Sequence, residues 1–283
     1  MVRATRAAFA AILVLSLAAC GFDRDIASTP RTDTTTPAPA PSLAGSGSSA
    51  SAMPTTAKIL FLHHSTGEVI WNGGVPAWFT SYNAQHGTRY QITEQAFPKN
   101  DPYGWNNYPY DYWNIWVRHA GAKAYQGEPT LEMLATRYDV IVWKHCFPVS
   151  NVIPDIGRPN ISSSDKRLEN YKLQYEALKQ KMRSFPNTRF VVWTSSALIK
   201  SASNDAEADR SRAFVDWVRG TWDERGDNIY VWDFWQLETG GGRYLAPSNA
   251  GGGDSHPNAT FAKRVAPAFA QRVVDAIEGR GDL

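Results

Sequence analysis

Two segments, Asp139-Val-Ile-Val-Trp-Lys-His145 and Arg189-Phe-Val-Val-Trp-Thr-Ser195, are apolar for four or five residues without a break. Successive side chains of a strand point to opposite faces, so a run that is apolar at every position must be covered on both sides. That requirement predicts a sheet held between two layers. Further strands are predicted at 58–63, 90–96 and 228–234, with 139–145 and 189–195 completing five. Helical patterns alternate with them, at 75–83, 128–136, 164–184, 206–225 and 258–278. The clearest is 164–184, where Leu168, Tyr171, Tyr175, Leu178 and Met182 recur every three or four residues, with Ser164 as the expected N-cap and Pro186-Asn187 as the stop. In the last helix Phe261, Val265, Phe269 and Val273 form a stripe, and Pro267, which lacks an amide donor, predicts a kink or break. Strands alternating with helices give the α/β class: a three-layer α/β/α sandwich around a central, mostly parallel, five-stranded sheet.

The chain has 283 residues, 43% of them hydrophobic, enough for a substantial core. Its formal net charge is +2, and Arg3 and Arg6 account for that excess, so the remainder carries 27 residues of each sign. Such a balance argues against nucleic acid as a partner. Residues 1–19 have the anatomy of an export signal: a basic start, an apolar stretch from Ala7 to Leu17, then small residues. Leu17-Ala18-Ala19-Cys20 resembles a bacterial lipobox, which implies lipidation of Cys20. With Gly21 following, the resemblance implies a lipid-anchored protein of the cell envelope, at the outer membrane, touching the membrane through its N-terminal lipid only. Residues 20–56, rich in Thr, Ser, Pro and Gly, are expected to be a disordered tether. The folded domain is expected over 57–283. Setting Cys20 aside leaves Cys146 alone, so no disulfide can form within the chain.

The first apolar run, Lys58-Ile-Leu-Phe-Leu, ends in His63-His64-Ser65. Near the other end of the chain lies Asp254-Ser-His256-Pro257-Asn258. In a parallel sheet, ligands gather at the carboxyl ends of the strands. A serine there becomes a nucleophile when a histidine takes its proton and a carboxylate orients that histidine. Ser65, His256 and Asp254 are therefore the candidate nucleophile, general acid/base and orienting acid. His63, His64, His145, His256 and Asp254 are metal-ligand types, but adjacent histidines on a strand face opposite ways and no His-Glu-x-x-His pattern occurs, so neither a metal nor a cofactor is expected. Cys146 reads as core. Residues 98–129 are dotted with Tyr, Trp, Pro, Gly and Asn. They read either as a cap whose rings, Trp105, Tyr110 and Trp113, stack on sugar faces, or as an insertion with its own aromatic mini-core.

On these two blocks the chain resembles the SGNH (GDSL-type) hydrolases. In that family the serine ends the first strand, and an Asp and His precede the last helix. Asp254 and His256 are one residue apart, a spacing similar to that of SGNH-like polysaccharide O-acetyltransferases. Where the family carries Gly-x-Asn after the third strand, this chain reads Lys144-His145-Cys146-Phe147. Lys144, His145 and Asn151 are the candidates for that oxyanion role, with Gly104, Asn100 and Asn106 after the second strand and the Ser65 or Thr66 amide beside them. The resemblance implies an esterase acting through an acyl-enzyme on an acylated carbohydrate or small ester. A polysaccharide O-acyltransferase on the same triad, or a non-catalytic surface lipoprotein binding glycan or protein, are the alternatives.

Overall fold

The computed structural model describes residues Pro54–Gly281. The leader, Cys20 and nearly all of the expected tether lie outside the described residues. The first strand, β1 (Thr56–His63), already includes the last position assigned to the tether, because Thr55 and Thr56 enter the ladder beside Arg89. Helices α1 (Ser65–Trp71) and α2 (Val75–His86) follow, then β2 (Arg89–Ala96), α3 (Pro109–Trp113), α4 (Leu131–Ala135) and β3 (Val140–Trp143). The second half comprises α5 (Leu168–Arg183), β4 (Arg189–Trp193), α6 (Asp205–Trp217), β5 (Ile229–Trp232), α7 (Phe234–Thr239) and α8 (Ala259–Ile277).

The five strands form one all-parallel sheet in the order β2-β1-β3-β4-β5, with helices on both faces, as the unbroken apolar runs require. Alternation along each strand divides the core. Ile59, Phe61, Val142, Val191 and Trp193 meet α8 through Phe261, Val265, Phe269 and Val273, with Ile70 and Phe79 from α1 and α2. Leu60, Leu62, Ile141, Trp143 and Val192 meet Tyr171, Tyr175, Leu178 and Met182 of α5. Each of these fully buried side chains contributes on the order of 1.5–3 kcal/mol. Chain order reverses between β1 and β3, whose neighbours diverge, and such a switch point leaves a crevice at the carboxyl ends.

Several boundaries differ from the sequence reading for identifiable reasons. The β3 ladder stops at Trp143 because the next peptides bond elsewhere: the Tyr112 hydroxyl donates to the Lys144 carbonyl at 2.8 Å, and the Cys146 amide donates to Asn107 Oδ1. Helix α5 begins at Leu168, not near Ser164, because Ile153 pairs with the backbone of Lys166 and Arg167 and keeps it extended. Pro267 does not break α8. It sits on the exposed face with Lys263, whose carbonyl would have received the missing amide bond, so water can satisfy that carbonyl. Nor do residues 98–129 make a mini-core of their own: Tyr112, Trp113, Ile115 and Trp116 are buried in the core beneath the sheet, with Trp116 set edge-on to Trp143.

Candidate active site

Ser65 is placed by a tight reversal. His64, the last extended residue after β1, occupies the N-cap position of α1, and Ser65 is its first helical residue. The helix folds back so closely on the strand that a Cβ at Gly67 would lie 2.4 Å from His63 Cβ, so only glycine fits there. At the far end of α1, a Cβ on Gly73 would lie 2.5 Å from the Ala262 carbonyl oxygen, which lets α8 come alongside.

Helix α8 in turn anchors the base. Asn258 caps it by accepting from the Phe261 amide at 2.8 Å, and its own Nδ2 donates to the carbonyls of Ser248 and Ala250. Ser255 is buried and accepts from the Ile199 amide at 3.1 Å, while Gly251 donates to the His256 carbonyl at 2.8 Å. The loop so fixed brings His256 Nε2 to 2.6 Å from Ser65 Oγ and His256 Nδ1 to 2.9 Å from Asp254 Oδ2. Asp254 Oδ1 also accepts from the His256 amide at 3.0 Å. The one-residue spacing thus works as an Asx-type turn, with one carboxylate oxygen on the backbone and the other on the ring. Both bonds from His256 hold the Asp254 carboxyl below the usual range. Asp254 is nonetheless 63% exposed, and Phe147 packs edge-on against the imidazole at 5.0 Å.

The histidines before Ser65 are structural partners. The His63 ring lies with Nδ1 3.0 Å from the His64 carbonyl and Nε2 2.7 Å from Glu94, and burial pulls it down to about 3. With Nδ1–H given to the carbonyl, Nε2 is left to share a proton with Glu94, whose carboxyl burial raises. His64 donates from Nε2 to the Pro98 carbonyl at 2.7 Å and is pulled down to about 4, again by burial.

Ser65, His64 and His256 open onto a cavity of about 330 Å³, walled by Cys146, Phe147 and Pro148 after β3 and by Trp105 to Tyr108 after β2. It occupies the switch-point crevice and is at the small end for a ligand pocket. His256 and Asp254 also border a more open hollow of about 420 Å³ that does not include Ser65. The smaller cavity is the candidate site because Ser65, the candidate nucleophile, faces it.

Of the residues expected to bind substrate, Trp105 lines this cavity, 68% exposed and tilted 39° against the His64 ring at 3.9 Å. Tyr110 and Trp113 do not. They pack against the core of α5, drawn there by burial of the whole α3 face. Four of the expected oxyanion residues are displaced as well. Lys144 and His145 are fully buried behind the cavity wall, Asn151 ends the 3-10 turn Phe147–Ser150, and Gly104 adopts a positive-φ turn outside the lining. The backbone turn after Trp143 is what removes Lys144 and His145 from the wall.

Sequence reasoning passed over Asn107, Lys166 and the place of Cys146. Asn107 clamps the two sides of the crevice, accepting from the Cys146 amide and donating from Nδ2 to the Phe97 carbonyl at 2.7 Å. The Cys146 thiol stands 3.4 Å from Ser65 Oγ and 3.3 Å from Thr66 Oγ1. Burial pushes that thiol up, but the Lys144 ammonium and its hydroxyl neighbours outweigh this and bring it down. The density of Asn in a segment following a strand was the available signal for Asn107. Nothing local marked Lys166, 101 positions from Ser65 in the chain. Among the described residues no three His, Cys, Asp or Glu side chains converge as a metal site would require. No protein-family model matches the sequence, and no curated protein matches it.

Proposed function

We propose that the protein is a serine hydrolase of SGNH-like type that cleaves esters, in particular acyl esters of carbohydrates. The observation that carries this reading is the continuous chain Ser65 Oγ, His256, Asp254, at 2.6 and 2.9 Å, opening on a cavity at the switch point of a parallel sheet. With Nδ1–H donated to Asp254, Nε2 is free to accept the Ser65 proton as Oγ attacks the ester carbonyl. His256, then protonated, gives that proton to the departing alcohol, and water activated by the same nitrogen releases the acyl group from Ser65.

Developing negative charge on the carbonyl oxygen calls for aimed donors. The Ser65 amide, at the first position of α1, lies outside the intrahelical ladder. Asn106 lines the cavity and its side-chain amide is not committed to the fold, whereas both ends of the Asn107 amide are. These two donors take the role for which Lys144, His145, Asn151 and Gly104 were considered. The setting proposed with this activity is the cell envelope, with Cys20 as lipid anchor.

Purified protein assayed on short-chain nitrophenyl esters and acetylated sugars tests the reading, with Ser65→Ala beside it. Turnover by the wild type that Ser65→Ala lacks, with a fluorophosphonate adduct mapped to Ser65 by mass spectrometry, is the expected result. Equal rates in the two proteins, or none in either, defeat it. Adding a free sugar as acceptor distinguishes transfer from hydrolysis by whether acylated sugar accumulates.

A further inference from the structure

One cation stands in the wall of the candidate active site. Lys166 Nζ donates to the Pro148 carbonyl at 2.9 Å and lies 4.8 Å from the centroid of the Tyr108 ring. Pro148 and Tyr108 both line the cavity, so the ammonium itself, and not merely its aliphatic stem, is at the cavity wall. An ammonium has three donors. The carbonyl takes one and the ring face covers part of the remainder. Among the described residues no carboxylate lies within 4 Å of this nitrogen, and no Asp or Glu contributes to the cavity wall. The acids that act on it, Asp111 and Glu207, do so from a distance. Burial lowers Lys166 from the ordinary lysine value, and the two distant acids offset that only in part. The other side chains around the cavity mouth are neutral or apolar: His64 is held uncharged by burial, and Trp105 offers an exposed indole face.

We infer that the ester this site accepts carries a carboxylate close to the scissile bond, received by Lys166 while Ser65 attacks the carbonyl. The inference rests on the hydrolase reading and sharpens it to acidic substrates. Two sources of the same chemistry fit, an acid group on the acylated sugar or one on the acyl chain. In both, the carboxylate meets a positive charge with no carboxylate within 4 Å among the described residues, so no direct ion pair has to be broken to receive it.

Matched pairs of esters read the inference directly. O-acetyl galacturonic acid against O-acetyl galactose places the charge on the sugar; 4-nitrophenyl hemisuccinate against 4-nitrophenyl butyrate places it on the acyl group. In at least one pair the anionic member should be preferred in kcat/KM by about tenfold, the size of one charge-assisted hydrogen bond. Lys166→Met should collapse that ratio towards unity, Lys166→Arg should keep most of it, and raised salt should erode it. The pair that shows the preference identifies the source of the carboxylate. A ratio near unity in both pairs overturns the inference while leaving the hydrolase reading intact. Should no ester be turned over, calorimetry on Ser65→Ala with galacturonate, galactose and monomethyl succinate decides separately. Binding of an acid that exceeds galactose and is lost in Lys166→Met upholds the anion site, and equal or absent binding overturns it.

Discussion

Two strand ends meet at the candidate site, and they are built on opposite terms. At the end of β1 nearly every polar group has a partner: His63 with Glu94, His64 with Pro98, Ser65 with His256. At the ends of β3 and β4, one layer deeper, buried polar atoms stand unpartnered: Lys144 Nζ, both nitrogens of His145, the Ser195 and Ser196 hydroxyls, and across from them Glu238 Oε2. Burial pulls Lys144 down to about 8, His145 far below the usual histidine value, and Glu238 well above the usual carboxylate value. The difference separates two uses of polarity. The outer set is tied down so that one hydroxyl is aimed; in the inner set burial drives His145 and Glu238 to their neutral forms and leaves Lys144 as the cation that acts on Cys146 through low dielectric.

The contrast is broken most completely at its outer half. Ser65→Ala or His256→Ala should each lower kcat by about 10³-fold or more, as is typical when one member of such a unit is lost, measured on whichever ester proves the best substrate. Thermal unfolding should be little changed in both.

Next in size is a gain of stability at the inner half. Lys144 has a native value near 8 against 10.5 unfolded, so between those pH values the unfolded state binds the extra proton and stability rises with pH. Below pH 8 the whole cost is present. Lys144→Met, which keeps the volume and removes the charge, should therefore stabilise the protein at pH 7 by about 3 kcal/mol. That gain should shrink as melts are repeated towards pH 10. Destabilisation at pH 7, or a gain independent of pH, would show that the ammonium has a partner in solution.

Asp254 tests whether exposure weakens the outer set. A buried orienting aspartate is worth about 10⁴ in kcat. Because water competes for the Asp254 carboxylate, Asp254→Asn should cost only about 10- to 100-fold, intermediate between that value and no effect. A loss as deep as that of His256→Ala would mean that substrate closes the loop over Asp254.

The effect that is smallest at neutral pH concerns acid stability. His63 and His64 have native values of about 3 and 4, so below pH 6.5 the unfolded chain takes up protons that the native state refuses. Stability should fall as pH falls from 6.5 to 4, by up to roughly 1.4 kcal/mol per pH unit for each group. His64→Gln should make the acid side of a plot of melting temperature against pH shallower, and an unchanged slope would place the titration elsewhere.

What was legible in the sequence was whatever repeats along it. Short apolar runs gave five strands, the two unbroken ones pointed to a parallel sheet covered on both faces, and the stripes at 168–182 and 261–273 gave helices that cover it, because these patterns arise from local geometry. The meeting of Ser65 with Asp254 and His256 was also readable, since each stands beside a recognisable terminus. The rest of the site depends on side chains bonding to backbone across long separations. Nothing near Lys144 announces that Tyr112 and Asn107 will take the peptide groups of residues 144–146 out of the sheet and turn two expected donors inward. Likewise Tyr110 and Trp113 have the same composition cues as Trp105, and only packing against α5 decides which ring meets solvent.

The Gly73–Ala262 approach joins the first helix of the domain to its last, and Ser65, the proposed nucleophile, to its proposed base 191 residues away. Contacts of such separation form late in folding and are the first to be missing from an unfinished chain. Ser65 is therefore an ordinary hydroxyl until α8 has docked. A chain still being synthesised, or one clipped before Asp254, carries a finished strand and a finished serine but lacks the proposed base, so the proposed ester activity would report that the whole domain has closed.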